Sequence, residues 1–191
     1  MKNDTYIEEQ NYDDKTYEKV DFSGYTFDQC HFENCKFLES RFSNAKFSLC
    51  RFENCEFLFN HLEKCRLQDV TFKECKVVGG EFHKCLPGFF GAHFPQTVLL
   101  SCNFSGLKMK NATFHEAKLK ECHFIETLLE GADFGQASLE GTVFHNCDLS
   151  RADFRDAENY VIDPRGNKIK NAKFSLPEAV SLLKAFEISL S

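Results

Sequence analysis

A large apolar residue returns at every fifth position from Tyr17 through Phe22, Phe27 and Phe32 to Phe82. After a short interruption the beat resumes at Phe94 and runs through Leu99, Phe104 and Met109 to Phe154. Fourteen such centres precede the break and thirteen follow it. A period of five suits neither regular element in straight form. On a helix each step of five rotates the side chain by about 140°, and on a strand an odd step flips the face. If the backbone instead turns a corner after every five residues, all centres point to one axis. Four sides then close a square coil of about twenty residues, and coils stack into a solenoid. The residue two before each centre must also point inward, into the little room that remains. It is small in most repeats, as at Cys30, Cys35, Ser40, Ala45, Ala112, Cys122, Ala132 and Ala152. The spacing predicts roughly seven coils and a rod on the order of 35 Å long.

The segments Ala132-Asp133-Phe134, Cys147-Asp148-Leu149 and Ala152-Asp153-Phe154 resemble the A(D/N)Lxx consensus of the pentapeptide-repeat family. The earlier half puts Cys for Ala and Phe for Leu. The resemblance implies an all-β fold, a right-handed quadrilateral β-helix. It divides the chain into an N-terminal lead-in at 1–16, a β-helix at 17–175 interrupted near 86–92, and a C-terminal capping and dimerisation α-helix with its tail at 176–191.

Composition narrows the rest. The chain has 191 residues, 42% of them hydrophobic, with no apolar run long enough to span a membrane. Its first residues, MKNDTYIEEQNYDDK, lack the apolar stretch of a secretion signal, so a cytoplasmic location is expected. The ten cysteines fall on the repeat lattice, nine of them two before a centre and Cys85 one repeat step past the last such position before the break, and include no CxxC spacing. They are read as small buried hydrophobes rather than metal ligands or disulfides. The seven histidines occupy outward positions without metal-like pairing, and no phosphate-cradling or nucleophile motif is present. A filled interior leaves no substrate pocket. No enzymatic activity, cofactor or metal is expected.

Three features break the lattice. Two extra residues fall within Leu86–Ala92, where Phe89 and Phe90 stand between Gly88 and Gly91. Both phenylalanines cannot point inward, and the bulge is either tucked under the wall or a contact loop. The stretch Asp163-Pro164-Arg165-Gly166 reads as a turn into last repeats at Ile169 and Phe174. From Ser175, with Glu178 three residues on, a capping box starts a helix over Leu176–Phe186. Its apolar positions Leu176, Val180, Leu182, Leu183 and Phe186 exceed what one end of a coil requires, which suggests self-association. Phe186, Ile188 and Leu190 then alternate with polar residues, a strand pattern suited to pairing across an interface.

Charge is uneven. The chain carries −6 overall, whereas Glu126–Asp163 holds nine acidic residues against Arg151 and Arg155. Held at fixed spacings on a stiff wall, such charges form a stripe for a basic partner. Lys36, Arg41, Lys46 and Arg51 make a basic run, but the acidic total argues against direct nucleic-acid binding.

The Cys- and Phe-rich repeats, the single lattice offset, the stretch Asn159-Tyr160-Val161-Ile162-Asp163 and the ending from Ala172 to Leu183 are similar to one branch of the family. That branch protects type II topoisomerases and includes the Qnr quinolone-resistance proteins, mycobacterial MfpA and the immunity proteins for microcin B17 and albicidin. The resemblance implies a homodimer joined through the C-terminal helix. It also implies a DNA-like acidic surface that engages DNA gyrase or topoisomerase IV. Transferred residue by residue, the acidic candidates are Glu126, Glu130, Asp133, Glu140, Asp148, Asp153, Asp156 and Glu158. Phe89 and Phe90 are the loop candidates, and Leu176, Val180, Leu182, Leu183, Phe186 and Ile188 the dimerisation candidates. The alternative is an interaction scaffold for an unrelated partner.

Overall fold

Every fifth residue supplies a corner. The computed structural model describes residues 5–186 and 188, and in it one residue per repeat takes left-handed backbone, from Glu9 (φ 52°) and Asp14 (φ 52°) to Asn171 (φ 60°). Between corners lie three-residue strands such as Tyr6–Glu8, Asn11–Asp13 and Thr16–Glu18. Each pairs in parallel with the strand one coil on, so that Ile7 faces Phe27, Tyr12 faces Phe32 and Tyr17 faces Phe37. Four walls result. Counting round the coil, the first carries the centres Ile7, Phe27, Phe47 and Leu67, and the second Tyr12, Phe32, Phe52 and Phe72. The third carries Tyr17, Phe37, Phe57, Val77 and Leu99, and the fourth Phe22, Phe42, Leu62 and Phe82.

This is the quadrilateral β-helix expected from the period, with one difference at its start. The coil begins at Tyr6 rather than Tyr17, because Ile7 and Tyr12 continue the beat and pack against the core. Tyr6–Glu8 and Asn11–Asp13, expected within a lead-in, therefore supply the first strands of two walls of the rod. On the second wall nine aromatic rings stack in one column from Tyr12 to Phe174, with centroids 4.7 Å apart for Tyr12–Phe32, 4.8 Å for Phe114–Phe134 and 5.2 Å for Phe154–Phe174. Rings on adjacent walls meet edge to face, as Phe32 does with Phe37 at 70°. Offset stacks and edge contacts are the two arrangements that aromatic quadrupoles favour. A residual void of about 30 Å3 remains among Phe42, Phe47, Leu62 and Leu67.

All ten cysteines are buried and free, but they act as more than small hydrophobes. Most inward residues two before a centre lie beneath a carbonyl of the preceding coil, and eight of the ten thiols donate to it, Cys65 and Cys85 excepted. The Cys50 thiol donates to the Phe27 carbonyl (3.4 Å), Cys55 to Phe32 (3.3 Å), the Ser40 hydroxyl to Tyr17 (3.0 Å) and the Asn60 amide to Phe37 (2.9 Å). Cys, Ser, Thr and Asn thus satisfy an acceptor that Ala leaves to other partners. Burial pushes the thiols of Cys30, Cys35, Cys50 and Cys147 up, Cys50 to about 12. A thiol whose pKa rises on folding contributes stability below the unfolded value and loses that contribution as pH climbs towards the folded one. The melting temperature should hold to about pH 8.5 and then fall steadily towards about pH 12. Cys50→Ala should shed part of that slope, and an identical alkaline profile for the variant would refute the account.

The interruption resolves into a register shift. Leu67 pairs with Phe90, and Val70 and Thr71 with Ala92 and His93, so later coils run two residues out of step with the earlier ones. Phe90 takes the centre's place and is buried, which removes it as a loop contact. Phe89 is left outside, 46% exposed, with the Arg66 guanidinium 5.1 Å from its ring centroid. Near the other end Val143 pairs with Val161 and Asp148 with Lys168. One side of the last coil is shortened and the next lengthened by the Asp163–Gly166 turn. Tyr160, buried at 2% exposure, fills the narrowing end between Phe154 and Phe174.

The C-terminal helix forms, but as a tight 3-10 winding over Glu178–Phe186, two residues later than expected at its start. The capping box does not close. The Ser175 hydroxyl accepts the Asp156 backbone N–H at 2.7 Å and donates to its carboxylate at 3.2 Å, so it is committed to the preceding coil. Leu182 packs on the core and serves as a cover for the coil end. Of the tail's expected strand pattern, Leu190 lies outside the described residues.

Candidate partner-binding surface

Because successive repeats point in four directions, the acidic stretch from Glu126 to Asp163 does not form one stripe. Asp133, Asp153 and Asp156 fall on the second wall or its corner, Glu130 and Asp148 on the first, Glu140 and Glu158 on the third, and Glu126 at the edge of the fourth. Half of these eight are also neutralised locally. Glu130 is paired with Lys110 and Arg151, Asp148 with Lys168 (3.5 Å), Glu140 with Lys120 (3.1 Å), and Asp153 with Arg155 (2.7 Å) and Lys173 (3.6 Å). The Lys110 ammonium draws the Glu130 carboxyl below the usual carboxylate range, and Arg155 does the same for Asp153. The basic run is dispersed in the same way, since Lys36, Arg41, Lys46 and Arg51 lie on four different walls of one coil.

What the coil does assemble is a single acidic wall. Along the second wall and its following corner stand Asp13, Asp14, Glu33, Glu53, Glu74, Glu116, Asp133, Asp153 and Asp156. Four cations oppose them, Arg51, Lys73, Arg155 and Lys173. The other three walls balance to within one charge, so nearly the whole net charge of −6 is expressed on this wall. The coils that carry them follow one another at roughly 4.8 Å, and from Asp13 to Asp156 every turn but that at 93–96 bears at least one. Glu33, Glu53 and Glu74 occupy successive turns. His31 reaches Glu53 at 4.0 Å, and His115 lies between Glu116 (3.6 Å) and Asp133 (3.4 Å). Contiguous charge counting missed six of these nine residues. Summing charge at a separation of twenty would have found Asp13, Glu33 and Glu53, since wall partners are one coil apart.

The neighbouring third wall carries an aliphatic row on its outside, beside a charged row that includes Lys36, Glu56 and Lys76. Leu38, Leu58, Val78 and Leu100 stack outward on consecutive coils, and Phe59 beside them is 61% exposed. At the C-terminal end Leu176 (79%), Val180, Phe186 and Ile188 are exposed. Leu183 is half-buried. Among the described residues no group of three or more His, Cys, Asp or Glu converges on a metal-sized site, and no helix is long and apolar enough to cross a membrane.

The chain matches the model for the pentapeptide repeat region over residues 25–86 and 88–175. Among solved structures, a trypsin-treated variant of QnrB1, a plasmid-mediated fluoroquinolone resistance protein, aligns at 16% identity with a TM-score of 0.63, covering 97% of this chain and 100% of that one. A second trypsin-treated QnrB1 variant aligns at 18% identity and TM-score 0.48, covering 97% and 91%. HetL of the cyanobacterium Nostoc, involved in regulating heterocyst differentiation, aligns at 14% identity and TM-score 0.45, covering 87% and 84%. At 16% identity the likeness to the first of these is one of fold. No curated protein matches the chain.

Proposed function

The chain belongs to the pentapeptide-repeat family, and on that footing we propose that it is a non-catalytic DNA mimic that binds DNA gyrase or topoisomerase IV. In this reading it shields the enzyme from a poison, either a quinolone-type drug or a peptide toxin, and acts in the cytoplasm. The observation that carries the reading is the second wall. Duplex DNA presents a phosphate about every 3.4 Å along each strand. A rigid rod roughly 40 Å long, with carboxylates on most coils of one wall, offers a DNA-binding surface a comparable repeating row of negative charge. The test is a supercoiling and cleavage assay in which the protein is titrated against gyrase, with and without a poison. Rescue of supercoiling at near-stoichiometric protein supports the reading, and neither rescue nor inhibition on either enzyme rejects it. The outward aliphatics of the third wall favour the alternative of a scaffold for another protein, which a negative assay would leave standing.

The second element of the proposal is a homodimer through the C-terminal helix. Leu176, Val180, Phe186 and Ile188 leave apolar surface at the rod's end, and Leu183 adjoins it on the same helix. Burying a carboxylate there without a partner opposes association. Leu183→Glu should convert dimers to monomers in sedimentation velocity. A wild type that already sediments as a monomer at micromolar concentration would remove the dimer.

A further inference from the structure

Left-handed backbone disfavours bulky apolar side chains and is easiest for Gly and Asn. Of the twenty-five non-glycine residues that adopt it here, only Leu49 (φ 53°) and Phe59 (φ 52°) are large and apolar. Neither is there to be buried, since they are 55% and 61% exposed. Phe59 nonetheless has a prepared seat. Its ring lies over Gly79 on the next coil, where a Cβ would come within 2.7 Å of the ring, and it extends the outward row of Leu58 and Val78. Strain kept at an exposed position points to function.

Their placement is specific. Leu49 stands at the corner between the first and second walls, and Phe59 at the corner between the third and fourth, on the same turn of the coil. These corners are diagonal across the square. The acidic second wall and the third wall with its aliphatic row lie between them, meeting at Asn54. A flat partner touches one wall at a time, so only a concave one reaches both corners. The geometry points to Leu49 and Phe59 as rim anchors by which a concave, basic cleft grips the rod across its second and third walls. Charge complementarity with the acidic wall sets the sign of the cleft, and the apolar corners supply contacts that salt does not screen. This inference rests on the proposed topoisomerase reading and specifies how that partner holds the rod.

Leu49→Asn and Phe59→Asn, singly and combined, place at each corner a residue suited to its backbone, so the melting temperature should stay the same or rise. Binding to purified gyrase and topoisomerase IV is then measured across a salt series. The double variant should bind about tenfold or more weakly at every salt concentration, with an unchanged slope of log Kd against log salt. Glu53→Gln with Glu74→Gln should instead flatten that slope. A double variant binding within about twofold of wild type throughout overturns the anchors and leaves the topoisomerase reading intact. Absence of binding by the wild type overturns both. Weakened self-association of the double variant, with topoisomerase binding unchanged, assigns the corners to a second copy and overturns the inference.

Discussion

Phe52→Asp is expected to abolish the cooperative fold. Phe52 is 2% exposed and stacks between Phe32 (4.8 Å) and Phe72 (5.0 Å), with the edges of Phe47 and Phe57 at 5.7 and 5.1 Å. Removing a buried phenylalanine costs about 3–5 kcal/mol, and a carboxylate with no cation in reach adds several more. A domain of this size has a net stability of about 5–15 kcal/mol. In a solenoid each coil is held only by its neighbours, so a failed coil in the middle of the stack uncouples both halves. Phe52→Leu is the control. Leu62 and Leu67 already serve as centres, and losing about three ring carbons costs roughly 2–3 kcal/mol, well below the penalty of the aspartate. Circular dichroism and thermal melting decide the matter. An aspartate variant that melts like the wild type would mean that residue 52 does not face the axis.

On the proposed topoisomerase reading, reversing Glu33, Glu53 and Glu74 to lysine together should strongly weaken protection and leave the fold in place. The three stand on successive turns of the second wall. Their ion pairs, His31 with Glu53 at 4.0 Å and Lys73 with Glu74 at 4.0 Å, are solvent-exposed. Exposed pairs contribute about 0–1 kcal/mol, so their loss barely affects stability. The wall itself passes from strongly negative to slightly positive. Like charges facing a basic cleft cost several kcal/mol, so protection should weaken on the order of a hundredfold or more. The comparison variant reverses Glu130, Glu140 and Asp148. It changes the total charge equally, but on other walls and at residues already paired with Lys110, Lys120 and Lys168. If both triple variants lose protection equally in the supercoiling assay, net charge rather than the wall is what the enzyme reads, and the second wall loses its special role.

The alternation of bulky and small residues made the core legible before any coordinates. Phe27, Phe32, Phe37 and Cys30, Cys35, Cys50 are all buried where the period places them. Ile7 and Tyr12 lay on the same beat, but their acidic and polar neighbours disguised them as a lead-in. Phe89 and Phe90 were indistinguishable as adjacent residues, because which one enters the core depends on the pairing of Leu67 with Phe90. Ser175 looked like a helix cap and was claimed instead by Asp156, nineteen residues earlier. No local pattern announces such a competitor.

The sequence by itself determined the repeat, the square coil, the filled interior and the ends that need covering. All of these follow from hydrophobic spacing, which acts through each residue's own direction relative to the axis. Only the tertiary structure decided which charges add. Residues five apart lie a quarter turn apart, whereas those twenty or twenty-two apart sit one strand spacing away. Electrostatic potential sums over distance in space, so a contiguous acidic stretch was dispersed while scattered carboxylates from Asp13 to Asp156 became one wall.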